Sequence, residues 1–166
     1  TLMEQAAGQA LRERGATVAL AESCSGGLIG SRLTDVPGSS AYFIADFVTY
    51  SNQAKQEVLG VPAATLQQFG AVSEETVRAM AQGARERAGS DIAIATSGIA
   101  GPGGGSEERP VGTVCFAMAT AQGVVSRRHQ LWGSRDWIKL LTSQIALDWI
   151  RRWAKNLDVV ESGFRR

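Results

Sequence analysis

The sequence is short of metal ligands and of lysine. It has two cysteines, Cys24 and Cys115, far apart and without a CxxC spacing, and one histidine, His129. That set argues against a structural zinc site, and no metal or cofactor is expected. Two cysteines without a visible secretion signal fit a reducing, cytoplasmic compartment. No apolar run approaches the roughly 18 residues that span a bilayer, so no membrane partner is expected. Charge of one sign is also lacking: 17 Lys+Arg stand against 16 Asp+Glu, a net charge of +1. The basic excess of a nucleic-acid-binding surface is therefore absent, and no nucleic-acid partner is expected. Only Lys55, Lys139 and Lys155 are lysines, so a lysine in a suggestive place stands out.

What remains is ordinary globular composition, 44% hydrophobic and 20% charged. A chain of 166 residues is expected to form one domain over 1–166. At that size about 70% of the unfolded surface is buried. Residues 3–14 read as a helix ending at Gly15, and 17–21 as a short apolar strand. A turn at ESCSGG leads into a helix through Leu33, before Asp35-Val36-Pro37-Gly38. Residues 43–50 read as a strand rich in aromatic and branched side chains. Ser51 or Asn52 caps the next helix, which ends at Gly60. Pro62 opens a short helical turn, and Ser73 caps a helix with acidic residues in its first turn. Residues 91–97 read as a buried strand, followed by a glycine-rich loop. The runs 111–120 and 124–132 read as a hairpin turning near Gln122-Gly123. A last helix from Ser134 to Ala154 carries Trp137, Leu140, Leu141, Ile145, Trp149 and Trp153, a stripe that reads as core packing. Strands alternating with helices, then a hairpin, predict an α/β fold: a three-layer α/β/α sandwich with a mixed, mostly parallel sheet.

In open α/β sheets sites form where strands exit into helices. The first exit is Glu22-Ser23-Cys24-Ser25-Gly26-Gly27. A serine there has an exposed hydroxyl beside helix N–H groups that stabilise an oxyanion or hold a phosphate; the same serine also serves as a plain cap. Ser25 and Cys24 compete with Ser23 as nucleophile, but adjacent residues in a turn diverge. His129 lies mid-strand between arginines and glutamine, which leaves lysine as the base. Lys55 follows the second exit, Thr49-Tyr50-Ser51-Asn52, by one helical turn. A solvated lysine near pKa ~10.4 is neutral only about 0.04% of the time at pH 7, so burial or a helix N-terminus has to lower it. Tyr50 is placed to hold or relay the proton. The third exit, Ser97 to Gly105, is a glycine loop that matches neither the P-loop nor the Rossmann pattern. With Arg109 and Arg135 it reads as a phosphate cradle or as a flexible lid.

Three ordered stretches, A-E-S-C-S-G-G-L, F-V-T-Y-S-N-x-A-K and S-G-I-A-G-P-G-G-G-S-E-E-R-P-V-G-T-V, with G-A-V-S-E-E between them, resemble the C-terminal domain family of the competence-damage-inducible protein CinA. The resemblance runs from about residue 3 to 153. It implies a Ser/Lys amidase converting nicotinamide mononucleotide to nicotinate mononucleotide and ammonia, with Ser23 as nucleophile, Lys55 as base and Tyr50 as assistant. Ser25, Gly26, Gly27, Ser51, Asn52, Gly101, Gly103, Gly104, Arg109 and Arg135 are then the expected substrate-binding residues. The partner is a small nucleotide, and a homo-oligomer is expected. Ser25 stands where the family has threonine, and Lys139 where R-D-x-V-R has its second arginine, which keeps the charge but loses the fork. Some family members carry an extra N-terminal domain; nothing of that size is expected here. The rival readings are a non-catalytic nucleotide-binding or regulatory module, which binds without turnover, and an interaction domain, which does neither.

Overall fold

The computed structural model describes residues 1–160; residues 161–166, included in the expected domain, lie outside the described residues. The elements run α1 Met3–Arg14, β1 Val18–Glu22, α2 Leu28–Thr34, a 3-10 turn Ser39–Ala41, β2 Phe43–Val48, α3 Asn52–Leu59, α4 Ala63–Phe69, α5 Glu74–Ala88, β3 Ile92–Gly98, β4 Thr113–Thr120, β5 Gly123–Gln130 and α6 Arg135–Ala154. Local chemistry sets these boundaries. Gly15, Gly60 and Gly89 end α1, α3 and α5 in left-handed conformation, while Ser51, Ser73 and Ser134 accept an amide hydrogen bond at the start of α3, α5 and α6.

The sheet order is β2-β1-β3-β4-β5. β1 pairs in parallel with β2 and β3, and β4 and β5 complete the sheet antiparallel to their predecessors. This is the expected three-layer arrangement. All five residues of β1 are buried, which is why that strand reads as an unbroken apolar run. On one face Val18, Leu20, Ile92, Ile94 and Phe116 pack with α1, α2 and α6. On the other, Ala19, Ala21, Ala93, Ala95, Ala117 and Ala119 lie under α5, on which α3 and α4 pack in turn. Six alanines leave little between the strands and that helix.

The α6 stripe is divided. Leu141, Ile145 and Trp149 are buried, and Trp153 lies under the Arg14 guanidinium at 3.7 Å. Trp137 and Leu140, expected in the core, are 45% and 41% exposed. They stand on the solvent side of the first turns of the 20-residue helix, whose core side is taken by Ile138 and Leu141.

Gly83 of α5 shows how closely the helices pack. A Cβ there would stand 2.0 Å from the Leu59 carbonyl oxygen of α3. Gly→Ala inside a helix ordinarily stabilises by up to about 1 kcal/mol. Here the backbone collision reverses the sign, and Gly83→Ala is expected to cost about 1–3 kcal/mol, lowering Tm by several degrees in a thermal melt.

Candidate active site

The first two strand exits meet through Lys55. Its Nζ lies 3.0 Å from Ser23 Oγ, and it donates to the backbone carbonyls of Thr49 and Tyr50, each at 2.9 Å. Lys55 is 1% exposed and Ser23 6%. Burial is the largest influence on the amine and lowers its pKa; the Cys24 thiol opposes this weakly. A neutral amine has two N–H donors and one lone pair. With two carbonyls taking the donors, the lone pair is left for the Ser23 hydroxyl.

Both thiols are poor rivals as nucleophiles. Burial pushes Cys24 up to about 12 and Cys115 up to about 11, and only a thiolate attacks well. Cys24 packs into the α6 side of the core, away from Lys55's layer, so neighbouring turn residues do diverge. His129 is buried edge-on against Phe116 at 5.3 Å.

Sequence reasoning missed Glu22. Its fully buried carboxylate accepts from the amides of Ile29 and Gly30, each at 3.0 Å, and the Leu28 amide donates to Ser25 O at 3.1 Å. The first amides of α2, expected to stand free for an oxyanion, are therefore already engaged. Among the described residues the Ser25 and Gly27 amides of the turn itself donate no hydrogen bond. Gly26 and Gly27 adopt φ of 61° and 96°, a sharp reversal that favours glycine. Behind Glu22 lies Asp46 of β2, pushed up to about 9 by burial and by the hydrogen bond and charge of Glu22. Gly30 lets this carboxyl in: a Cβ there would meet Asp46 Oδ2 at 2.4 Å.

A cavity of about 220 Å³ opens beside the dyad, lined by Cys24, Tyr50, the Gly98–Gly101 backbone, Gly103, Gly104 and Arg135. Its wall is built by the neighbours of Ser23 and Lys55, not by those two side chains. Two larger hollows, of about 460 and 230 Å³, lie where α1 enters β1, at the opposite edge of the sheet. Tyr50, Gly101, Gly103, Gly104 and Arg135 thus converge as expected. Arg135 donates to Gly101 O at 2.7 Å, and its Nη2 stands 3.5 Å from the Tyr50 hydroxyl. The part of Tyr50 that touches Lys55 is its carbonyl; the phenol points to Arg135 and is 65% exposed as a residue.

Other expected residues lie apart. Arg109 turns away and donates to Val72 O at 2.8 Å and Phe69 O at 2.7 Å, tying the glycine loop to the α4–α5 connection. Ser25 is buried and hydrogen-bonds the Thr96 hydroxyl at 3.1 Å. Ser51 accepts from the Ala54 amide as the α3 cap, and Asn52 is exposed beside it. Lys139 fits the site better than its replaced arginine suggests: a Cβ on Gly26 would stand 3.8 Å from Lys139 Nζ.

The Asp46 shift carries a sign. Its pKa is raised on folding, so folding takes up a proton between about pH 4 and pH 9. Its contribution to stability is full below the unfolded value and is lost as pH rises through the folded one. Asp46→Asn keeps a polar partner for Glu22 without titrating. Urea melts across that window are expected to show a shallower fall of stability with pH in the variant, by up to about 1.4 kcal/mol per pH unit at the steepest.

Residues 1–154 match the family described as the CinA C-terminal domain. A CinA-like protein of Geobacter sulfurreducens is 54% identical over 150 residues, covering 90% of this chain and 36% of the relative. A putative competence-damage inducible protein of Symbiobacterium thermophilum is 49% identical over 160 residues, covering 91% and 38%. The chain thus spans little more than a third of these curated relatives. Among solved structures, competence/damage inducible protein CihA from Agrobacterium tumefaciens superposes with TM-score 0.83 at 44% identity, covering 87% of this chain and 91% of that one. Competence damage-inducible protein A from Klebsiella pneumoniae gives 0.89 at 35% identity, covering 94% and 97%. No described helix is long and apolar enough to cross a membrane. In sequence and in fold, the chain belongs to the CinA C-terminal domain family.

Proposed function

We propose that this chain is a serine–lysine amidohydrolase acting on the carboxamide of nicotinamide mononucleotide, giving nicotinate mononucleotide and ammonia. The observation that carries the reading is the buried Lys55 amine 3.0 Å from the Ser23 hydroxyl, with two carbonyls occupying its other positions. An amine so placed is a general base, and a serine beside it is an activated nucleophile.

Neutral Lys55 takes the Ser23 proton as Oγ attacks the carboxamide carbon. The Ser25 and Gly27 amides of the turn, which donate no hydrogen bond among the described residues, are candidate donors for the developing oxyanion. The Lys55 ammonium then protonates the leaving nitrogen, and ammonia departs. Water hydrolyses the acyl-enzyme with Lys55 again as base, restoring Ser23 and releasing the acid. The cationic pyridinium ring withdraws electrons from the carboxamide and eases both attacks. Gly103, Gly104, Arg135 and Lys139 supply amides and positive charge for the phosphate and ribose, and holding those groups orients the carboxamide. A nucleotide-binding module without turnover predicts the same binding and no ammonia.

Ser23→Ala and Lys55→Met are each expected to lower ammonia release from nicotinamide mononucleotide by at least about 10³-fold while nucleotide binding by calorimetry persists. Wild-type turnover is expected to be unchanged by chelator. Full activity in Ser23→Ala overturns the nucleophile, and binding without ammonia in the wild type overturns the reaction.

A further inference from the structure

Thr49 carries a hydroxyl that this mechanism leaves unused. Its backbone serves the site twice: the amide donates to Glu22 O at 2.9 Å, and the carbonyl accepts from Lys55 Nζ at 2.9 Å. The β1–β2 register sets Ala21 against Phe47 and Glu22 against Val48, and Phe47 packs into the α3–α5 layer. Alternation along the strands therefore puts Thr49 beside Ser23 on the face from which Lys55 reaches in. Thr49 is 1% exposed, and its Oγ1 has no hydrogen-bond partner among the described residues. A buried hydroxyl without a partner is uncommon and calls for a reason.

The reason lies in what Lys55 needs later in the reaction. The ammonium has three N–H donors. In the resting site three oxygens surround Nζ, namely Thr49 O, Tyr50 O and Ser23 Oγ, and an ammonium there would donate to all three. When Ser23 Oγ bonds to the acyl carbon it becomes a weak acceptor, just as Lys55 gains the third proton. We propose that the Thr49 hydroxyl accepts this third N–H, holding Lys55 as the ammonium until the proton passes to the leaving nitrogen. A turn about its χ1 between staggered wells is the motion required. The proton count closes: one leaves Ser23, resides on Lys55 and departs with the nitrogen. Thr49 is thus a positioning residue that acts through Lys55, and the inference rests on the serine–lysine reading above. The other ionisable groups nearby are the Cys24 thiol at the β1 exit, the Tyr50 phenol, which faces Arg135, Glu22, which takes the α2 amides, and Lys139, whose Nζ stands beside Gly26; Arg87 of α5 donates to Gly83 O near the C-terminal end of α3.

The test compares Thr49→Val, Thr49→Ala and Thr49→Ser with the wild type as full chains. Ammonia release from nicotinamide mononucleotide and the rate of Ser23 labelling by a fluorophosphonate are followed across pH. Val and Ala are expected to lower kcat and the labelling rate about tenfold or more, with KM within threefold, and Ser to restore both to within threefold. The pH midpoint of the rising limb of kcat is expected to move down in Val and Ala, because in the acyl-enzyme the ammonium has lost an acceptor. Thr49→Val is expected to keep or raise Tm; if it unfolds, Ala and Ser decide. Unchanged kcat, labelling and midpoint in the apolar variants overturn the inference. If the wild type labels at Ser23 with this Thr49 dependence but releases no ammonia, the substrate reading fails while the Thr49 role stands.

Discussion

An amine buried to 1% exposure is costly to keep charged, and everything around Lys55 depends on how that cost is met. Burial alone favours the neutral form but leaves its direction undefined. The carbonyls of Thr49 and Tyr50 supply that direction, because they sit at the end of β2, whose register against β1 is fixed by the parallel ladder. Lys55 in turn stands one turn into α3, whose start is fixed by the Ser51 cap. The amine is thus aimed by backbone groups that do not titrate, with its remaining direction toward the Ser23 hydroxyl at the β1 exit.

The nucleophile turn is held by a different device. Glu22 points to the opposite face of the sheet from Ser23 and takes the α2 amides there. The arrangement brings Asp46 into contact with Glu22, and burial plus a neighbouring carboxylate keep that second carboxyl protonated near neutrality. Two carboxyls sharing a proton under the turn are a poor bargain for stability alone. They do fix the chain on both sides of Ser23, one residue from its hydroxyl.

Much of this was legible in the residues. The elements followed from caps, glycines and apolar periods. Ser23 and Lys55 stood out because strand exits are where chemistry collects and because lysine is scarce. What stayed hidden was of two physical kinds. Backbone roles carry no residue signature, so Tyr50 drew attention for its phenol when its carbonyl is the contact, and Thr49 drew none. Long side chains also choose among distant partners: Arg109 reaches the Phe69 and Val72 carbonyls forty and thirty-seven positions away, a choice that no local pattern encodes. Trp137 and Leu140 are apolar neighbours of Ile138 and Leu141, and apolar character alone does not say which side of a turn meets the core. Glu22 was the nearest miss, since an acid seven residues before Ile29 caps a helix only if the turn between folds back through two left-handed glycines.

The six alanines beneath α5 bear on how such a site drifts over time. One methyl of thickness separates the sheet from α5, on which the Lys55 helix rests, so those positions act as a spacer as well as a core. A bulkier side chain there would find room only by lifting a helix, and the gap between amine and hydroxyl would widen with it. Enlarging any of these alanines is therefore felt twice, in the packing of a closed layer and in the spacing between the Lys55 amine and the Ser23 hydroxyl.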